Sequence, residues 1–277
     1  MTLVRQAFVL LLAGLLATLA IFAGDELRVA KNSLLGALGK SESKESSVCP
    51  SDMIAVNTAQ GVLCVDKYEE SPGDKCVHKK PMSPQETTEN STWPDCKPVS
   101  VKGVSPWANV ALHQAVALCA RAGKRLPSGE EWYRAALGTP DPYGTGERVC
   151  NINAIGKGEA GLTGAYTQCL SSAGAYDMIG NVWEWVDETI EDGTRLTHKL
   201  PDEGYVSAVD SAGVPTATHN DPDPSFGGDY FWVDKTGSRG MFRGGFWGVG
   251  EKVGLYAVNA TVETSFTGVG VGFRCVK

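Results

Sequence analysis

Asp177-Met178-Ile179-Gly180-Asn181-Val182-Trp183-Glu184-Trp185 is the stretch on which the reading of this chain turns. Two Trp flank a Glu, and Gly180 sits beside Asn181. The same mixture returns in Arg243-Gly244-Gly245-Phe246-Trp247 and in Gly272-Phe273-Arg274-Cys275. Glycine lets backbones approach closely, and tryptophan fills wide gaps between them. No helical or strand period runs through these segments. The expected fold is therefore α+β, irregular and loop-rich, with little regular secondary structure.

The rest of the composition agrees. A chain of 277 residues with 33 Gly and 14 Pro is turn-rich rather than helical. Its formal net charge is −7 with no clustered basic residues, which excludes nucleic acid as a partner. The acidic residues are spread along the chain, as on a solvated surface.

Between Arg5 and Asp25 there is no charge. Gln6 to Gly24, about 19 residues, is close to the shortest helix that spans a bilayer. The same run fits a cleaved signal, with small residues at Thr18, Ala20 and Ala23. Residues 1–25 are thus a signal or membrane anchor, and either one exports the remainder of the chain. The protein is expected in the cell envelope, membrane-anchored through this segment or secreted to the periplasm. Residues 26–48 end in a Ser/Glu/Lys tether, polar enough to stay solvated. One domain then covers 49–277.

Eight cysteines suit an oxidising compartment: Cys49, Cys64, Cys76, Cys96, Cys119, Cys150, Cys169 and Cys275. No CxxC pair suggests zinc or redox chemistry. Sequence alone fixes no pairing. Short loops favour Cys49–Cys64, Cys76–Cys96 and Cys150–Cys169, which leaves Cys119 with Cys275.

Within the domain, Val62 to Glu69 reads as a strand and Ser71 to Val99 as a long loop. A helix is expected from Asn109 to Ala122, with Val110, Val116 and Cys119 near one face and Gly123 as its stop. A second starts at Ser128, where Glu131 completes a capping box. It turns Trp132, Ala135 and Ala136 inward and ends at Gly138. Beyond it only short strands and long loops are expected.

Lys124-Arg125-Leu126-Pro127-Ser128-Gly129-Glu130-Glu131-Trp132, then Tyr176 to Trp185, Arg243 to Trp247 and Gly272 to Cys275, occur in this order. Together they resemble the sulfatase-modifying-factor superfamily, whose founder is the formylglycine-generating enzyme. The resemblance covers about residues 50–277 and implies a C-type lectin-like fold. It also implies a bridge from the first helix to the terminal Gly-Phe-Arg-Cys, in support of Cys119–Cys275.

Catalytic members bind copper through two cysteines just after the Gly-Gly-aromatic motif. Here those positions fall near Val249 and Gly254, and no cysteine stands between Cys169 and Cys275. Without thiolates there is no soft ligand for Cu(I), so no copper and no formylglycine generation by that route are expected. The iron-dependent sulfoxide synthases of the superfamily need a histidine cluster. His78, His113, His198 and His219 are scattered without ligand spacing.

The resemblance does imply calcium. Asp177 and Glu184 would supply carboxylates, and Gly180 and Val182 carbonyls, an all-oxygen set for a hard cation. A second site would use the carbonyls near Asn151 and Ile152, but Ala160 stands where its acidic partner is expected.

Gly244 to Arg274 further resembles the variable proteins of diversity-generating retroelements, which use the same fold. Gly254-Leu255-Tyr256-Ala257-Val258-Asn259 matches their core, and Gly272-Phe273-Arg274 their end. The residues between are expected to be a display surface, with Trp247, Tyr256, Asn259, Thr261, Thr264 and Phe266 as ligand contacts. Aromatics there supply contact area at low entropy cost. The function expected from this resemblance is non-catalytic binding of a protein or glycan ligand. A formylglycine-generating-type enzyme or accessory, or a structural component of the cell envelope, is the alternative.

Overall fold

The computed structural model describes residues 48–143, 149–152 and 159–277. The expected anchor of residues 1–25 and nearly all of the tether of 26–48 lie outside the described residues.

Among the described residues, thirteen short strands and three α-helices make up the domain. The strands are β1 (Met53–Thr58), β2 (Gly61–Asp66), β3 (Glu70–Pro72), β4 (Pro98–Ser100), β5 (Trp183–Glu191), β6 (Thr194–Arg195) and β7 (His198–Lys199). They continue with β8 (Gly204–Val209), β9 (Pro215–His219), β10 (Tyr230–Val233), β11 (Ser238–Arg243), β12 (Val258–Ala260) and β13 (Val271–Gly272). The helices are α1 (Pro84–Thr92), α2 (Leu112–Arg121) and α3 (Gly129–Ala136).

Nine strands form one sheet in the order β7-β6-β5-β11-β12-β10-β8-β9, with β13 added alongside β5. It is mixed, because β10–β12 and β13–β5 pair parallel and its other pairs antiparallel. β1–β2 and β3–β4 make two separate hairpin-like pairs. This sheet-rich domain with few helices is consistent with the lectin-like expectation.

β5 explains the opening motif. Trp183 and Trp185 face one core, with Trp107, Leu118 and Phe273, while Val186 and Ile190 face a second, with Trp132, Phe231 and Met241. Both faces of the strand are buried at its start, so no polar–apolar alternation survives in the sequence. The segment that showed no period is thus a central strand. Gly180 precedes it at φ +79°, where a Cβ would sit 2.5 Å from the Asn151 carbonyl oxygen. Only glycine takes that backbone at that distance.

The second expected helix is α3. Ser128 Oγ accepts from Glu131 N, Glu131 Oε2 accepts from Ser128 N, and Trp132, Ala135 and Ala136 are buried. The first is shorter than expected. Asn109 takes φ +58°, which no helix allows, so α2 starts at Leu112. Its inward residues are Leu112, Ala115, Leu118 and Cys119, while Val116 is 40% exposed and points outward, contrary to expectation. The stretch of 71–99 is also no plain loop, for it contains α1 and β4. α1 buries Thr87 and Asn90 rather than apolar residues, so it carries no amphipathic signature.

The eight cysteines form Cys49–Cys64, Cys76–Cys96, Cys119–Cys275 and Cys150–Cys169. Cys119–Cys275 ties α2 to the terminal segment across 156 residues.

Candidate functional site

Arg243 closes β11 and fixes the Gly-Gly-Phe-Trp turn behind it. Its guanidinium is fully buried and donates to the carbonyls of Ala212, Gly213 and Leu255 at 2.9–3.0 Å. It also lies over the Trp132 ring, 5.0 Å from its centroid. Burial pushes its pKa down to about 10. Gly244 follows at φ +86° and accepts from Gly180 N at 2.9 Å, which joins this turn to the Asp177 loop.

Trp247 then turns toward a cavity of about 260 Å³. Its ring packs on Phe246 with centroids 5.2 Å apart, and its backbone N–H donates to Asn181 O. Its Nε1 is buried and has no hydrogen-bond partner among the described residues. Pro81, Pro106, Asn109 and Val269 share the lining, and a Lys80–Glu159 ion pair of 3.0 Å stands at the same cavity. Asn109 is held in its left-handed conformation from two sides: Nδ2 donates to Pro81 O, and its N–H to Gly268 O.

Residues 261–270 form a loop after β12, of which Val269 lines the cavity. Four long-range backbone bonds pin it: Gly240 N to Val262 O, Leu112 N to Thr264 O, Asn109 N to Gly268 O, and Trp183 N to Gly270 O. Phe266 is 41% and Val269 61% exposed, while Val262 packs on the first core. Of the expected contacts, Trp247 lines the cavity, and Thr261, Thr264 and Phe266 lie on this loop. Asn259 is spent locally, its Oδ1 accepting from the N–H and hydroxyl of Thr261.

Tyr256 departs from the expectation. It packs between Tyr133 and Phe226, and its backbone N–H donates to Asp229. Burial, with Tyr133 beside it, pushes its phenol up to about 12. The reason for the departure is that Ala257 is buried in the first core and Val258 in the second, and Tyr256 itself packs on the second.

The Asp177 loop holds three carboxylates against one guanidinium. Arg274 is fully buried and reaches both oxygens of Glu184 at 2.6–2.9 Å, and Trp132 Nε1 donates to Glu184 Oε2 at 2.7 Å. Glu69 accepts from Asn181 Nδ2 and Val182 N. Asp177 Oδ2 accepts from Gly164 N, while its Oδ1 is buried without a partner. Burial, despite the Gly164 bond and Arg274, raises the Asp177 pKa to about 6. Glu69 is pushed well up by burial and then by the charge of Asp177.

Tested against calcium, this donor set fits in part. The surplus negative charge and the orphaned Asp177 Oδ1 suit a hard cation. The N–H groups of Gly180 and Val182 are committed to Gly244 and Glu69. Glu184 does not fit as expected, because Arg274 and Trp132 already saturate its carboxylate. At the second expected site the Asn151 and Ile152 carbonyls accept from Asn181 N and Gly250 N instead.

Residues 54–277 match the profile of a family described as the sulfatase-modifying factor enzyme 1-like domain. The chain belongs to this family. Hercynine oxygenase of Mycobacterium tuberculosis is 30% identical over 154 residues, which are 52% of this chain and 30% of that protein. Formylglycine-generating enzyme of Thermomonospora curvata is 33% identical over 124 residues, 36% of this chain and 41% of that protein. The chain spans less than half the length of these curated relatives. Among solved structures, the Major Tropism Determinant I1 Variant aligns at a TM-score of 0.45 and 16% identity, over 82% of this chain and 52% of that chain.

Within the sulfatase-modifying-factor-like domain, the two positions near which the resemblance places copper-binding cysteines are filled by other groups. Val249 packs on the first core. At Gly254 a Cβ would lie 2.4 Å from Asp229 Oδ1. Asp229 is fully buried, and burial with the charge of Asp141 raises its pKa well above the carboxylate norm. A thiolate at 254 and this carboxyl group cannot occupy the same space. Asp229 carried no motif in the sequence, and neither did Asn109, Pro81 or Lys80. They reach these sites through long-range packing alone.

Proposed function

We propose that this domain is a non-catalytic ligand-binding module of an exported or membrane-anchored envelope protein, with its ligand, a protein or glycan, held at the Trp247 cavity. The observation that carries this reading is the buried Trp247 Nε1, without a partner among the described residues, beside a cavity that Val269 of the 261–270 loop also lines. A buried donor without an acceptor costs about 1–3 kcal/mol, which a ligand oxygen would recover. The filled positions at Val249 and Gly254 support a loss of copper chemistry, and the four disulfides support export. The exposed Phe266 and Val269 of this loop also suit a segment rewritten between copies, as in retroelement-diversified proteins.

Panels of immobilised glycans and peptides test the site with Trp247→Phe, which keeps a ring and removes the N–H. Binding should weaken about tenfold or more, the equivalent of one buried hydrogen bond. Copper-dependent oxygen consumption with a Cys-containing peptide would instead establish the formylglycine-generating alternative and refute the reading.

Calcium is proposed for the Asp177 loop, through Asp177 and the Gly180 and Val182 carbonyls, with Glu184 joining only by giving up Arg274. Excess chelator should then lower the melting temperature, by an amount worth about 2.7 kcal/mol if the ion stood at a hundred times its Kd. An unchanged melting curve, with no metal by elemental analysis, would leave the loop held by Arg274 and hydrogen bonds.

A further inference from the structure

A second group of buried charges lies beneath the terminal segment, apart from the Trp247 cavity. Asp66 ends β2 and Glu70 begins β3, and both are fully buried. Their carboxyl oxygens come within 4.8 Å of each other. Lys124, just after α2, places Nζ 2.5 Å from Asp66 Oδ1, 3.8 Å from Glu70 Oε1 and 3.3 Å from Asp52 Oδ2. Asp66 Oδ2 accepts from Cys275 N at 3.0 Å, so both Asp66 oxygens are engaged. Neither Glu70 oxygen receives a hydrogen bond.

The charges do not balance as they stand. Two buried carboxylates against one ammonium leave a surplus negative charge where water is excluded, and the partly exposed Asp52 adds to it. An unpaired buried charge of this kind is too costly to persist. Asp52 is 42% exposed and solvated, so the buried surplus is a single charge, which a divalent ion would overshoot. One proton satisfies it, and supplies the hydrogen bond that Glu70 lacks.

We propose that Glu70 holds one proton beside the Asp66 carboxylate, so that the seat of the C-terminal segment is a pH-sensitive clamp that weakens as the proton leaves. The clamp is joined to the segment it holds by backbone bonds. Glu70 N donates to Phe273 O, Asp66 N to Cys275 O, and Trp107 N to Glu70 O. Burial first, and then the charge of Asp66, push the Glu70 acid well above its ordinary range, with Asp52 adding and Lys124 opposing. These three residues are the charged groups that face it. The folded protein therefore keeps a proton that the unfolded chain has lost. Its stability falls as pH rises from the ordinary glutamate value to the raised one, and stays flat beyond.

Unfolding of the full chain, followed from pH 5 to 9 beside Glu70→Gln, tests the clamp. The amide is neutral at every pH and donates toward Asp66 as the proton on Glu70 does. Relative to this variant, the wild-type folding constant should drop about tenfold per pH unit within the window, while contributions from other groups cancel. Glu70→Gln should be the more stable protein at pH 8. Parallel profiles, or a variant weaker at every pH, would overturn the proposal. Should Glu70→Gln fail to fold, Asp66→Asn decides, since it leaves the same charge with the amide on the other partner. It should reduce the pH dependence, because the charge that opposes ionisation of Glu70 is gone, and an unchanged profile overturns the proposal equally. The double variant, which strips Lys124 of both buried carboxylates, should lose stability across the whole range.

Discussion

Arg274→Met is expected to destabilise the domain by about 3–5 kcal/mol, the range for breaking a buried ion pair from one side. Arg274 and Glu184 are both buried, and the guanidinium makes three contacts to that carboxylate. It also donates to the carbonyls of Asp66 and Tyr176. Its removal leaves Glu184, Glu69 and Asp177 as neighbouring buried acids without a countercharge. Arg274→Lys should recover little, because one ammonium cannot span a carboxylate and two carbonyls in the directions that the planar fork reaches. Urea unfolding measures the loss. Combining Arg274→Met with Glu184→Gln should cost less than the two single losses added, by about 0.5–3 kcal/mol, because the second change removes a charge that the first orphaned. A loss under about 1 kcal/mol for Arg274→Met would mean that the pair is not buried as described.

Cys119→Ala with Cys275→Ala should cost at least as much. Closing a loop of about 100 residues is worth about 4.7 kcal/mol in the chain-entropy account, and the Cys119–Cys275 loop is longer still, at a separation of 156. Cys49–Cys64 closes only 15 residues, for which the same account gives about 3 kcal/mol. The comparison of the two double variants is the test. Cys119 and Cys275 are also wholly buried, so their loss opens space in the first core as well. Non-reducing peptide mapping should recover the 119–275 link. If removing that link costs less than removing Cys49–Cys64, the entropic account fails for this chain.

How far the chain was legible depends on the range of the forces involved. The start of α3 was readable because a capping box spans three residues and needs nothing beyond Ser128 and Glu131. The order of the Trp-Glu-Trp, Gly-Gly-Phe-Trp and Gly-Phe-Arg-Cys segments was enough for a family resemblance, since close backbone approach and large buried rings demand those residue types. α1 escaped, because its two buried residues are polar and pay no regard to an apolar period. The start of α2 was misplaced for a different reason. Asn109 takes a left-handed backbone that is set by Pro81 and Gly268, far from it in sequence.

The sites divide in the same way. The missing copper cysteines were plain in the sequence, since a thiolate is either present or it is not. That Asp229 fills the space beside Gly254 depends on a fold that brings residues 25 positions apart face to face. Glu184 was named from its motif, yet Arg274, 90 residues on, decides what its carboxylate does. Tyr256 and Trp247 read as one surface in the sequence, but β12 enters the second core and separates them. By itself the sequence determined the family, the local caps and the absence of thiolate ligands, because these rest on residue identity and short-range bonding. Only the tertiary structure decided which charges meet and which aromatics share a cavity, because burial and Coulomb forces act between atoms close in space, wherever they stand along the chain.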